Sequence, residues 1–347
     1  MNKRKRASQQ GATVTGAYPL RLAALMQERG HDAGALIQGL GLDVASLARP
    51  DSRISLADYA RLAGVAMQCA GDEGLGCALA MQTPPTAHGS LGVAMLSSET
   101  LADALALSGR FMSLLQQSIS FDIAMGADRV QFMPQRNHPH VELALPVRRY
   151  MAEALMVGAA RTTAWLLGRQ YLEGELWFTH ARPPYFDVWE DKLPFTRFGT
   201  PYNCLSMPLG LLQCRLPLAD KITRDRAVAQ CEKELSLLDR ASPSTVMQVR
   251  AHLRDAPKAH FVASAFAQRL HLSERTFKRR LAEEGTSFTA LLRDEMFVAA
   301  CQHLLHSELS IEHIALTLGY TDPANFTRAF RQWSGVSPSD YRAQQRP

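Results

Sequence analysis

Nine polar side chains late in the chain fall into two short runs. The first is Arg275, Thr276, Lys278, Arg279 and Arg280; the second is Asn325, Thr327, Arg328 and Arg331. These residue types suit the edges of base pairs. Arginine and lysine donate to the N7 and O6 of guanine, asparagine pairs with adenine, and threonine contacts either. Arg275, Lys278 and Asn325 are the leading candidates for reading bases, followed by Arg279 and Arg328. Arg280 and Arg331 are suited to phosphates, which position a protein on DNA without specifying sequence. A basic helical face is often merely solvated, so the runs need a scaffold before they mean anything.

The scaffold is an internal duplication. Phe266-Ala267-x-x-Leu270-His271-Leu272 aligns with Ile314-Ala315-x-x-Leu318-Gly319-Tyr320, and Phe277-x-x-x-Leu281 aligns with Phe326-x-x-x-Phe330. Gly285-Thr286-Ser287 then aligns with Gly335-Val336-Ser337. The offset grows only from 48 to 50 residues along the span. Each copy has the parts of a helix-turn-helix. Ala267 or Ala315 allows close approach of the second helix. Gly319 supplies a positive φ at the turn, and His271 takes that place in the first copy. Ser273, or Asp322 followed by Pro323, caps the second helix. Phe277 and Leu281, or Phe326 and Phe330, fix the inward face and leave the nine polar side chains outside. Between the copies, 287–306 reads as one long apolar helix. It would hold the two units apart; at one helical turn of DNA, one chain would read two successive major-groove segments.

The chain has 347 residues, enough for two domains. With 46% hydrophobic and 20% charged residues it has the composition of a folded globular protein. No apolar run reaches the roughly 18 residues needed to span a bilayer, and the basic, polar start does not resemble a secretory signal. A cytoplasmic protein without membrane contact is expected. Residues 240–347 carry 14 Lys and Arg against 10 Asp and Glu, and Lys3, Arg4, Lys5 and Arg6 add four positive charges; residues 7–239 have a net charge of −3. Positive charge is thus concentrated at the two ends. The N-terminal cluster fits either a disordered tail or a DNA-contacting arm. The six cysteines form no Cys-x-x-Cys pair and are expected to be reduced, mostly buried thiols.

Upstream, helical and strand patterns mix. Helices are expected over 18–29, 55–70, 99–115 and 146–168. The alternation over 118–134, broken by Gly126-Ala127-Asp128, predicts a β-hairpin. Strands are expected at 175–179 and within 198–207, with a loop at Pro183-Pro184. The fold class is therefore an α+β N-terminal domain for sensing and dimerisation, followed by an all-α domain of two helix-turn-helix units joined by a long helix. The divisions are a basic disordered tail (1–16), the α+β domain (17–217), a helical linker (218–241) and the DNA-binding domain (242–347). Within the linker, Val228, Cys231, Leu235 and Leu238 have coiled-coil spacing. That stripe fits a dimer contact or packing on its own domain.

The C-terminal residues resemble the AraC/XylS family of bacterial regulators. The run from Leu309 to Tyr320, then Asn325-Phe326-x-Arg328-Ala329-Phe330 and Gly335-Val336-Ser337-Pro338-Ser339-Asp340-Tyr341-Arg342, is similar to the family signature. The resemblance implies two helix-turn-helix units. It places Arg275, Lys278 and Arg279 at groove-reading positions in the first, and Pro323, Ala324, Asn325, Thr327 and Arg328 in the second. Three departures stand out. His271 replaces the usual Gly, Glu295 replaces a common Arg of the linking helix, and Pro323-Ala324 offers bases no hydrogen bonds. The upstream part resembles the arabinose-binding-type domain of one AraC subgroup. The matching stretches are Arg53-Ile54-Ser55, Gly89-Ser90-Leu91-Gly92 with Leu96-Ser97-Ser98, and Phe195-x-x-Arg197-Phe198-Gly199 before Asn203. Members are thought to sense varied small molecules.

No enzyme motif competes: GxSxG, P-loop, His-Glu-x-x-His and Rossmann patterns are absent from the sequence. His138 and His140 fit a metal site less well than a polar loop. A DNA-repair alkyl-transfer protein would need a clustered zinc site of four cysteines near the N-terminus, and there is none. No cofactor is expected. Met151, Met156, Trp165, Trp177, Phe178 and Tyr185 could line an apolar pocket, although helical spacing favours core packing. Arg148, Arg149 and Arg197 could hold a carboxylate. The sequence therefore predicts a ligand-responsive DNA-binding regulator, an activator acting as a homodimer. Its partners would be double-stranded DNA, a small-molecule effector and RNA polymerase. The alternative is an N-terminal domain that only dimerises.

Overall fold

The computed structural model describes residues 12–49, 51–71, 74–136, 143–241, 245–254, 261–284, 286–307 and 309–345. The basic tail at Lys3–Arg6, the His138/His140 pair and the expected boundary at 242 lie outside them. The described chain divides into two compact units, one ending at residue 241 and the other beginning at residue 245.

The first unit opens inside the expected disordered tail: strand β1 (Thr13–Thr15) is ordered there by antiparallel pairing with β2 (Arg53–Ser55), with Val14 buried. Between and after them come α1 (Ala17–Glu28), α2 (Ala33–Gln38), α3 (Val44–Leu47) and α4 (Leu56–Ala70). Ser55 caps α4, its hydroxyl accepting from the Asp58 amide at 3.0 Å. Leu22, Met26, Ile37, Leu62 and Ala66 form a core of their own beneath these helices.

Helices α5 (Leu75–Gln82), α6 (Gly89–Leu96), α7 (Leu101–Leu115) and α8 (Leu145–Leu166) surround a five-stranded sheet. Its strands are β3 (Ile119–Met125), β4 (Arg129–Arg136), β5 (Glu175–Phe178), β6 (Phe195–Phe198) and β7 (Cys204–Pro208), in the order β3-β4-β7-β5-β6. All neighbours are antiparallel except β5 and β6. The expected hairpin is β3–β4, turning at Gly126–Asp128. Val130, Phe132, Leu176, Leu205 and Met207 face one side and join Phe111, Met156, Val157 and Ala160 of α7 and α8 in the main core. The class is α+β.

Two local expectations need correction. Pro183-Pro184 does not open a plain loop. A 3-10 helix runs over Pro184–Lys192 and seats Phe186 in the core, where its ring meets Phe198 edge-on at 4.8 Å. Two strands, not one, occupy the region around 198–207, and the first begins at Phe195.

Helix α9 (Lys221–Ala241) settles the use of the coiled-coil stripe. Cys231 is buried, and Val228 and Leu235 pack with it on the main core beside α6 and α7. Three of the four stripe residues are therefore used inside their own domain, where they cover α6 and α7. Of the six free cysteines four are buried, Cys214 is half-buried and Cys69 is exposed.

The second unit is all helical: α10 (Thr245–Arg254), α11 (Ala263–Arg269), α12 (Glu274–Glu283), α13 (Phe288–His306), α14 (Ile311–Thr317), α15 (Pro323–Ser334) and α16 (Pro338–Gln345). It has two cores. Val246, Val249, Leu253, Phe266, Phe277, Leu281 and Leu291 make the first. Met296, Ala300, Leu304, Ile314, Phe326, Phe330 and Tyr341 make the second. Helix α13 is the wall between them, and Leu292 touches both.

Candidate nucleic-acid interface

The two turns that aim the reading helices are built alike. In α11 the Leu272 amide donates to the Ala267 carbonyl (2.9 Å) and the His271 amide to the Gln268 carbonyl (3.0 Å). In α14 the Tyr320 amide donates to Ala315 and the Gly319 amide to Leu316, both at 2.9 Å. These are Schellman ends, which need a left-handed residue after the helix. Gly319 has φ +81°, and His271 has φ +54°, the one positive φ outside glycine among the described residues. A side chain in this conformation costs about 1 to 2 kcal/mol, partly offset by glycine's greater freedom when unfolded. Thermal unfolding is therefore expected to show His271→Gly as neutral or stabilising by up to about 1 kcal/mol. Gly319→Ala in the matching turn should destabilise by about 1 kcal/mol or more.

Caps then start the reading helices. The Ser273 hydroxyl accepts from the Thr276 amide at 3.2 Å, and the Asp322 carboxylate accepts from the Ala324 amide at 2.8 Å. The duplication extends to the next helix in each copy: Ser287 caps α13 and Ser337 caps α16, each accepting at 3.2 Å. Phe277 and Leu281 bury one face of α12, and Phe326 and Phe330 one face of α15.

Those anchors leave the polar runs outside. Arg275, Lys278 and Arg279 are exposed on α12, with Thr276 and Arg280 half-buried at the flanks. Asn325, Arg328 and Arg331 are exposed on α15, and Thr327 is half-buried. Two of the α12 cations have partners one turn away. Lys278 Nζ lies 2.5 Å from Glu274 Oε1, and Arg279 Nη1 lies 2.6 Å from Glu283 Oε1. Exposed pairs of this kind contribute only a few tenths of a kcal/mol, so phosphate or guanine can displace the carboxylate. Arg275, Arg280 and Arg331 have no ion pair among the described residues. On α15, Arg328 Nη2 donates to Asn325 Oδ1 at 2.7 Å and holds that amide facing outward. With Glu274 and Glu283 counted, α12 and α15 carry the same net charge of +2.

Other basic residues of this unit are structural. Arg250 and Glu295, both buried, form an ion pair, with Asp294 Oδ2 at 3.5 Å from Arg250. The departure at Glu295 is therefore internal: this carboxylate is the counter-ion of Arg250, and no basic surface contact is lost there. Arg342 donates to the carbonyls of Leu304 and Leu309 at 3.1 and 2.7 Å. Helix α10, which carries Arg250, is absent from the sequence-based reading, although Val246, Val249 and Leu253 sit at helical spacing.

Residues 266–344 match the family described as a helix-turn-helix domain, and residues 30–216 match the arabinose-binding domain of AraC transcription regulator, N-terminal. The chain belongs to the AraC family of transcription regulators.

Relatives of this AraC-family regulator match along nearly their whole length. The ornithine utilization regulator of Pseudomonas aeruginosa is 29% identical over 95% of this chain and 96% of its own. The regulator VirS of Mycobacterium tuberculosis is 26% identical over 92% and 93%. Among solved structures, the transcriptional regulator CdpR of P. aeruginosa is 23% identical, with a TM-score of 0.43, covering 82% of this chain and 91% of that one. These relatives regulate transcription and are not enzymes. No described helix is long and apolar enough to cross a membrane.

In the N-terminal domain, Met156 and Phe178 are core residues, and Met151 packs on the smaller core. Trp165 lies under the Arg161 guanidinium at 4.5 Å. Tyr185 donates to the buried Glu153 carboxylate at 2.7 Å, with Arg149 over its ring. Trp177 lies on the opposite face of the sheet, against Tyr202. Of the three candidate arginines, Arg148 is exposed, and Arg197 pairs with Glu175 at 3.0 Å.

Proposed function

We propose that this AraC-family protein is a ligand-responsive, sequence-specific regulator, an activator that acts as a homodimer in the cytoplasm and engages RNA polymerase. Its N-terminal domain, 17–217, binds a small-molecule effector. Its C-terminal domain, 242–347, presents α12 and α15 to successive major grooves. Arg275, Thr276, Lys278, Arg279 and Arg280 contact DNA from the first unit, and Asn325, Thr327, Arg328 and Arg331 from the second. The observation that carries the DNA part is the pair of matching Schellman turns after α11 and α14, each leading into a side-chain-capped helix with a polar outer face.

The two units divide the labour differently. The first offers five candidate contacts. The second begins with Pro323-Ala324 and contributes more through backbone contacts and DNA shape. The relative named an ornithine utilization regulator supports an effector from small-metabolite chemistry. Footprinting the full chain on fragments of its own genome tests the DNA reading. Salt-dependent protection at discrete sites is expected; its absence at every fragment and salt concentration would overturn it.

A further inference from the structure

The sheet of the N-terminal domain has a second face, turned away from α7 and α8, and strand register fixes what lies on it. Residues directly opposite one another share a face. Ala124, Gln131, Ser206, Glu175 and Phe195 form one row across β3, β4, β7, β5 and β6. Asp122 and Met133 begin the adjacent row, and Trp177 and Arg197 continue it. Arg129 stands two residues before Gln131 on the same face.

Polar groups on this face are unevenly matched. Gln131 is 7% exposed, and its Oε1 is buried with no hydrogen-bond partner. A sealed acceptor without a donor costs about 1 to 3 kcal/mol. Toward β5 the imbalance is the reverse. Glu175 accepts from the Trp177 indole at 2.9 Å and from Arg197 Nε at 3.0 Å, with Arg129 Nη2 at 3.7 Å. Arg129 also donates to the Ser206 hydroxyl and carbonyl, at 2.8 and 3.1 Å. That leaves Arg129 Nη1 and both Nη atoms of Arg197 without a bond among the described residues. Burial would raise the Glu175 carboxyl, but the Trp177 N–H and the two guanidinium groups hold it below its ordinary range. It therefore stays ionised and keeps both arginines over the sheet.

We propose that this face is the effector subsite, and that its ligand is an amino acid whose ammonium and carboxylate lie several bonds apart. The carboxylate accepts from the unused N–H groups of Arg129 and Arg197, and the ammonium donates to Gln131 Oε1 beside Asp122 once the side chains over that acceptor part. The Trp177 ring packs along the chain between them. The backbones of β4 and β5 are two strand spacings apart, about 10 Å, and the side chains narrow that gap. Among the described residues, the two carboxylates and two guanidiniums on this face balance in charge, so a zwitterion preserves neutrality, and a ligand with a single charge does not. The proposal rests on the effector reading above and assigns it a place and a chemistry.

Thermal shift and calorimetry on the full chain test it. The probes are 5-aminopentanoate and 4-aminobutyrate, with butylamine and butyrate as singly charged controls. A saturable rise in Tm is expected with at least one zwitterion and with neither control. Gln131→Met removes the orphaned acceptor while filling its space, so the ligand-free Tm should hold or rise and the shift should disappear. Arg197→Ala, on an exposed arm, should weaken binding at least tenfold and covers the case in which the first variant does not fold. Wild-type protein unmoved by both zwitterions, or variants that bind them unchanged, would overturn the site. A monosaccharide, a nucleoside and a fatty acid separate the two failures. A shift from one of these that survives both substitutions overturns this site and leaves the effector reading standing; no shift from any compound overturns both.

Discussion

Replacing Arg250 with Met should destabilise the DNA-binding unit by about 3 to 5 kcal/mol, because it strands a buried carboxylate. Arg250 and Glu295 are 2% and 3% exposed and pair directly, joining α10 to α13. Once the guanidinium is gone, the buried Glu295 carboxylate has lost its counter-ion. Chemical denaturation of the full chain, followed by a probe in this unit, reads the loss. The double variant Arg250→Met/Glu295→Leu removes both charges and should recover most of it, since a well-packed apolar pair can replace a buried ion pair at little cost. A single variant as stable as wild type would show that the other surroundings of Glu295 suffice for its charge. DNA binding should fall with the single variant, because α13 and α10 together hold the core against which Phe277 and Leu281 set the angle of α12.

The second large effect concerns contacts and not stability. Arg275→Ala/Lys278→Ala/Arg279→Ala removes three exposed side chains from α12 without touching Phe277 or Leu281. Each base-reading contact contributes roughly 1 to 3 kcal/mol. The triple variant should therefore lose about 4 kcal/mol or more at a specific site, roughly a thousandfold in Kd. Its Tm should stay near wild type, because the lost i,i+4 pairs contribute only a few tenths of a kcal/mol each. Comparing specific with random DNA in a binding titration divides the loss. A selective drop at the specific site assigns these residues to bases; an equal drop on all sequences with a smaller salt slope assigns them to phosphates. An unchanged Kd would remove α12 from the interface. Since α12 and α15 have equal net charge, the proposed dominance of α12 rests on the number and type of its side chains and not on its field.

Much of the candidate interface was legible because its rules are local. A left-handed residue, a capping hydroxyl and aromatics four apart each act within one or two turns. The duplication let each copy check the other, even where His271 stood in place of glycine. The i,i+4 acids at Glu274 and Glu283 were equally visible in spacing, yet they temper the first reading helix in a way that counting cations misses. Helix α10 is short, and its buried Arg250 finds its partners on another helix, so its place is not legible locally.

The sequence by itself determined the two helix-turn-helix units, their caps and turns, and the α+β character of what precedes them. These follow from backbone preferences and apolar periodicity over a few residues. Tertiary structure decided what depends on distant partners. Glu295 finds Arg250 across 45 positions and becomes a core counter-ion. Val228, Cys231 and Leu235 of the α9 stripe turn inward, where they cover α6 and α7. Strand order brings Gln131, Glu175 and Arg197 onto one face of the sheet. A period of two or of 3.6 says which side of an element is apolar; only the packed chain says what that side meets.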